Sequence, residues 1–247
     1  MTLTDHYIAN YKKYKNQEII LYPHLGLGDA IICNGLVNKL SNYFFKINLI
    51  ANKQFHEQLD YLYSRNSSVR VISAYPEAVN NLDNFVENLA INTGLKVLRV
   101  SQLKTGKPFY HEFYKSVNLA YKHSYNNFYL PEDTKRQNIL KKHLIETYHA
   151  NPLNYALVHK DSSIDSYNLE ITNNSQVLVE KESDQFNNIF LYKNVIKDAK
   201  EIHCVNSSFV HLVDRVDTGA KLFYHDVRGG IIKLKKKWKI IKYENKN

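Results

Sequence analysis

Two short stretches hold the residues whose types and spacing could do chemistry. Asp29 closes His24-Leu25-Gly26-Leu27-Gly28-Asp29, and His211 closes Asn206-Ser207-Ser208-Phe209-Val210-His211. A carboxylate beside a glycine turn can take a proton from a hydroxyl. Hydroxyls and a histidine at the positive end of a helix can face an anion. Plain structural readings compete with both. Asp29 suits a helix N-cap, and Ser207 or Ser208 can cap a helix ahead of a partly buried histidine.

The elements around them explain why the placement matters. Glu18-Ile19-Ile20-Leu21-Tyr22 is an apolar run of the kind that forms a buried strand. Ala30 to Leu40 follows as a helix, with Ile31, Ile32, Gly35, Leu36 and Leu40 able to share one face. Gly26 and Gly28 supply backbone freedom between the two. The stretch is neither a dinucleotide fingerprint, since the third glycine is misplaced, nor a phosphate loop, since no Gly-Lys-Ser/Thr follows. In the second stretch, Ile202-His203-Cys204-Val205 predicts a strand and Ser207 to Val216 a helix.

Strands and helices alternate through the chain, and the alternation restarts after a polar connection at Pro131-Glu132-Asp133. In the first half, strands are expected at 18–22, 46–51, 69–72 and 95–100, and helices at 5–15, 30–40, 56–63, 76–89 and 108–121. In the second, strands are expected at 155–159, 177–180, 202–205 and 221–224, and helices at 137–148, 187–198 and 207–216. This pattern implies parallel βαβ units. The expected architecture is α/β, two Rossmann-like domains over 1–125 and 126–247 facing a cleft. Ligands in such folds sit outside the carboxyl ends of the strands.

The chain has 247 residues, enough for a full core. A net charge of +9 favours anionic partners without choosing among nucleotides, phosphates, lipids and nucleic acid. No Cys/His cluster has zinc spacing. Cys33 and Cys204 sit in apolar surroundings and read as buried free thiols of a reducing compartment. Residues 1–6 do not resemble a signal peptide, and no apolar run approaches the about 20 residues a membrane span needs. A cytoplasmic protein is expected. Helix 108–121 pairs an apolar stripe with Lys107, His111, Tyr114 and Lys115, either a basic lip near Lys104 or a solvated face. The basic tail, Lys233 to Lys239 around Trp238, reads either as a contact with anionic lipid at the inner face of a membrane or as a solvated terminal element.

The glycine–Asp turn and the serine–histidine motif together resemble the GT-B glycosyltransferases, most closely the lipopolysaccharide heptosyltransferase group and more loosely the GT-B fucosyltransferases. The resemblance implies a compact GT-B fold in which Asp29 is the general base for the acceptor hydroxyl. The group's second motif, Asp-Thr-Gly-x-x-His, holds the donor diphosphate. It reads Asn206-Ser207-Ser208-Phe209-Val210-His211 here, with Asn for Asp and Ser208 for Gly. Hydroxyl and lysine groups after the first strand of the second domain would be Lys160, Ser162 and Ser163, with Lys160 earlier than in the family pattern. Glu180, by its place after a second-domain strand, reads either as an acceptor for a ribose hydroxyl or as a solvated glutamate, and His24 and Asn34, with Gly26 and Gly28, would orient the acceptor. The implied reaction is inverting sugar transfer from a nucleotide-diphosphate donor to a glycan or lipid-linked hydroxyl. It uses no metal and no cofactor beyond the nucleotide-sugar substrate. The resemblance also implies that the last segment packs back on the first domain.

Two other classes compete. A non-catalytic nucleotide-sugar or glycan-binding protein would account for the altered Asn206 and Ser208. A nucleic-acid-binding protein would account for the charge, but it needs a contiguous basic stripe with exposed aromatics. The basic residues are scattered, so no nucleic-acid partner is expected.

Overall fold

The computed structural model describes residues 6–75, 81–101, 106, 108–227 and 232–243. The chain divides into two compact units, Met1–Pro131 and Glu132–Asn247. The join lies past the 125/126 boundary read from the sequence, because side chains of the first unit hold the intervening residues. Asn34 Oδ1 accepts from the Tyr129 amide at 2.8 Å, Asn38 Nδ2 donates to the Asn127 carbonyl, and Tyr61 Oη donates to the Pro131 carbonyl.

The first unit is a four-stranded parallel sheet. Its strands are β1 (Glu18–Tyr22), β2 (Lys46–Asn52), β3 (Val69–Ala74) and β4 (Lys96–Arg99), in the order β3-β2-β1-β4. Between them run α1 (Leu27–Ser41), α2 (His56–Tyr63) and α3 (Leu82–Thr93). Ile20, Tyr22, Ile50 and Val97 pack with Val86 and Ala90 of α3. Leu49 and Ala51 face Ala30, Cys33 and Val37 of α1 and Leu59 and Tyr63 of α2. Helices therefore cover both faces, as buried parallel strands require. Strand order reverses beside β1, so the switch point where α/β folds bind ligands lies between the ends of β1 and β4.

Two expectations change here. Residues 6–8 are not helical; Ile8 and His6 exchange backbone hydrogen bonds with Val97 and cover the edge of β4, ahead of a 3-10 turn at Tyr11–Tyr14. The helix expected over 108–121 is α4 (Phe109–Ser116), which stops before Asn118, a residue at φ 54. Tyr114, expected on its polar side, is fully buried and donates to the Ile32 carbonyl at 2.8 Å. Gly35 lets α1 meet the neighbouring α5 (His123–Asn126), because a Cβ there would lie 2.0 Å from the His123 carbonyl oxygen. Residues 76–80, Lys104 and Lys107 lie outside the described residues.

The second unit opens with α6 (Thr134–Thr147), capped by Asp133 accepting from the Arg136 amide. Its parallel sheet comprises β5 (Ala156–His159), β6 (Gln176–Leu178), β7 (Glu201–Cys204), β8 (Lys221–Asp226) and β9 (Trp238–Lys242), in the order β6-β5-β7-β8-β9. The switch point lies between β5 and β7. The helix expected over 187–198 is a 3-10 turn at Ile189–Tyr192, capped by Asn188, followed by α7 (Lys193–Asp198). The short α8 (Ser208–Val213) follows β7. β9 corrects the reading of the tail. Residues 238–242 are a strand that pairs in parallel with β8, and the Trp238 indole donates to Asp214. Both cysteines are buried and free.

Candidate functional site

In the first unit, the turn after β1 leads into α1. Gly26 is the N-cap residue and makes no side-chain cap. Asp29 is therefore not the cap but a first-turn residue whose carboxylate folds back over Gly26. A Cβ on Gly26 would lie 2.9 Å from Asp29 Oδ2. Partial burial raises the Asp29 pKa above the usual carboxylate range, while His24 opposes the shift. The carboxylate lies in the first turn of α1, beside the switch point of the sheet. His24 is exposed, and its ring lies 5.0 Å from that of Phe113. Gly28 lies in the same first turn.

Asn34 does not belong to this group. It is fully buried, and its Oδ1 accepts from the Tyr129 amide and from Asn38 Nδ2. Its side chain holds the end of the first unit.

The ends of β1 and β4 carry a constellation that the sequence reading missed. Tyr22 Oη donates to Asp83 Oδ1 at 2.6 Å, and Arg99 Nη2 lies 3.2 Å from the same oxygen. The Arg99 guanidinium sits 5.0 Å from the Tyr22 ring centroid. Burial, then the bond to Asp83, pushes the Tyr22 phenol up, so it stays a donor. Arg99 remains 47% exposed at the strand end. Its position as the last residue of a strand was the signal available in the sequence. A groove of ≈ 600 Å³ on the β1–β3 face, lined by Glu18, Asn48, Lys53, Arg70 and Tyr75 among others, contains none of the expected residues.

In the second unit, the switch point joins His159, the last residue of β5, to Ser207, which precedes α8. Ser207 Oγ lies 3.2 Å from His159 Nδ1 and makes no cap bond to the helix. The His159 ring stacks on Phe209 at 5.1 Å and 8°. Burial depresses the His159 pKa to about 4, so the ring is neutral near pH 7. Lys160 and Glu180 follow adjacent strands and meet, Nζ to Oε1, at 3.1 Å. Tyr148 Oη donates to Glu180 Oε2 at 3.0 Å, and its pKa is pushed up to about 12, chiefly by burial. Glu180 thus bridges Lys160 and Tyr148.

Three further candidate residues have settings of their own. Ser162 Oγ accepts from the Ile164 and Asp165 amides and closes its own loop, with Asp161 bridging to Ser166. Ser163 is exposed on that loop and is not gathered with the others. His211 is buried, and burial, reinforced by Arg215, lowers its pKa to about 3, so it brings no positive charge to a leaving group. Asn206 and Ser208 are half-buried around Ser207, Ser208 as the first residue of α8.

Among the described residues, no cluster of histidine, cysteine or carboxylate side chains could hold a metal, and no helix is long and apolar enough to cross a membrane. The chain is an α/β protein of two parallel sheets flanked by helices, each sheet with chemistry-bearing residues at its switch point. Comparison with known families, curated proteins and solved structures finds no match.

Proposed function

We propose that this chain is a GT-B-type glycosyltransferase, moving a sugar from a nucleotide-diphosphate donor to the hydroxyl of a glycan or lipid-linked acceptor with inversion. The observation that carries the reading is Asp29. It is a partly buried carboxylate, raised in pKa, at the switch-point turn of a parallel sheet. In the reaction, Asp29 removes the acceptor hydroxyl proton as that oxygen attacks the anomeric carbon. The bond from that carbon to the diphosphate breaks, and the nucleotide leaves with the electron pair. His24, which acts on Asp29, and half-exposed Arg99 would orient the acceptor. In the second unit Ser207, neutral His159, Lys160 and the backbone at Asn206 and Ser208 would receive the nucleotide.

A second reading has its own support. His211 is neutral and Lys160 is paired with Glu180, so few uncompensated cations face a diphosphate. That arrangement suits a nucleotide-sugar-binding protein without turnover.

Calorimetry against a panel of nucleoside diphosphates and nucleotide sugars, with wild type and Asp29→Asn, tests both. Glycosyl transfer requires that one nucleotide sugar bind both proteins and that only wild type release nucleoside diphosphate. Binding without release in either protein leaves the second reading standing. No binding by either protein removes both.

A further inference from the structure

We propose that the edge of the second unit formed by residues 232–242 is a docking surface for an anionic lipid bilayer. Exposure alternates along it. Lys233, Lys235, Lys237 and Lys239 are exposed, while Ile232, Leu234, Lys236 and Trp238 are half-buried. The exposed lysines alternate with half-buried neighbours and so make a row of charge along the approach to β9. Exposed Lys242 adds a further charge at the end of β9, the outermost strand of its sheet, on the face opposite Lys239. Ile240, 42% exposed, adds an apolar side chain on the same strand.

The inward side holds the row in place. Asp214, 1% exposed, accepts from the Lys235 amide at 2.9 Å, the Lys236 amide at 3.0 Å and Trp238 Nε1 at 3.0 Å. Lys236 Nζ turns inward and donates to the Val213 and Val216 carbonyls at the end of α8. The lysines are therefore displayed from a fixed backbone, which lowers the ordering cost of binding. Lys233, Lys237, Lys239 and Lys242 form no ion pair among the described residues.

A row of cations on a fixed edge matches the negative potential of an anionic leaflet. A polynucleotide would also need aromatic faces for its bases. The aromatics of this segment are engaged otherwise. Trp238 is half-buried with its N–H on Asp214, and the Tyr243 hydroxyl bonds His225 and the Glu170 amide. The proposal does not depend on glycosyl transfer.

The test is co-sedimentation of the full chain with phosphatidylcholine vesicles, with and without about one-third phosphatidylglycerol, at low and high salt. Binding should need phosphatidylglycerol and be lost at high salt. In K233Q/K235Q/K237Q/K239Q it should fall about fivefold per lysine, the equivalent of about 1 kcal/mol each. Removing the same charge from the first unit, in K12Q/K13Q/K15Q/K39Q, should leave binding within about twofold of wild type. The altered lysines are exposed, so an unchanged melting temperature verifies the fold of both variants. Absence of phosphatidylglycerol-dependent binding overturns the proposal. So does equal loss in the two variants, or a single-stranded oligonucleotide that displaces the vesicles from this edge.

Discussion

Ser207 Oγ and His159 Nδ1 meet at 3.2 Å across the switch point of the second sheet. The contact links the end of β5 to the segment entering α8, so the serine that sequence reasoning assigned to a helix cap instead orients a neutral histidine. Replacing Ser207 by Ala removes that partner from a ring stacked on Phe209. An unsatisfied buried donor or acceptor costs about 1–3 kcal/mol. Urea unfolding of Ser207→Ala should show a loss in that range with an unchanged m-value. A loss confined to nucleotide affinity, with stability intact, would mean the contact is not structural.

Gly26 controls where the Asp29 carboxylate can sit. A methyl group there would meet Oδ2 at 2.9 Å, and the carboxylate is the end of a movable side chain. Gly26→Ala should therefore displace Asp29 while changing stability by less than about 1 kcal/mol. Partial burial is what raises the Asp29 pKa, so the displaced carboxylate should titrate lower than in wild type. Carboxyl-carbon NMR across the acid range reads this directly. An identical Asp29 titration in both proteins would show that the turn does not hold the carboxylate.

Much of the fold was legible because parallel strands are buried on both faces and read as short apolar runs, as at Glu18–Tyr22 and Lys46–Asn52. Strand β9 escaped because edge position lets Lys239 and Lys242 stay in solvent, so charge masked its pairing with β8. Helix ends at Asn118 and Asn187 were missed because asparagine entered the left-handed region, φ 54 and 46, where a continuous helix was expected. At the candidate site, the Asp29 turn is visible in the glycine spacing. The burial of Asn34 and His211 is not, because it depends on partners distant in sequence, such as the Tyr129 amide.

Four histidines of the second unit are held neutral. Burial depresses His159, His203 and His225 to about 4 and His211 to about 3. His203 Nδ1 and His225 Nε2 lie 2.9 Å apart, and His225 Nδ1 lies 2.7 Å from Tyr243 Oη. An unfolded histidine titrates near about 6.5, so as pH falls the unfolded chain binds protons first. Stability is full above about pH 6.5 and declines as pH falls towards about pH 4. Urea midpoints between neutral and acid pH should fall accordingly, and more shallowly in His203→Leu/His225→Leu. A profile flat over that range would mean these rings are charged or solvated in the folded state.

Asp214 makes the strongest stability prediction, because one buried carboxylate holds the whole approach to β9. It accepts from two backbone amides and the Trp238 indole. Hydrogen bonds to a charged group are worth about 1.5–3 kcal/mol each, and they are not additive. Asp214→Ala should cost at least about 3 kcal/mol, since three donors lose their acceptor in one step. Asp214→Asn keeps an acceptor oxygen and should cost less. Trp238 is the sole tryptophan, so its fluorescence reports the release of this segment specifically. In Asp214→Ala the emission should shift to the red at urea concentrations below those that unfold the sheet core. Coincident transitions by fluorescence and far-UV circular dichroism would instead place β9 in the same cooperative unit as the rest of the sheet. The loss of stability would then be shared by all five strands rather than confined to the edge.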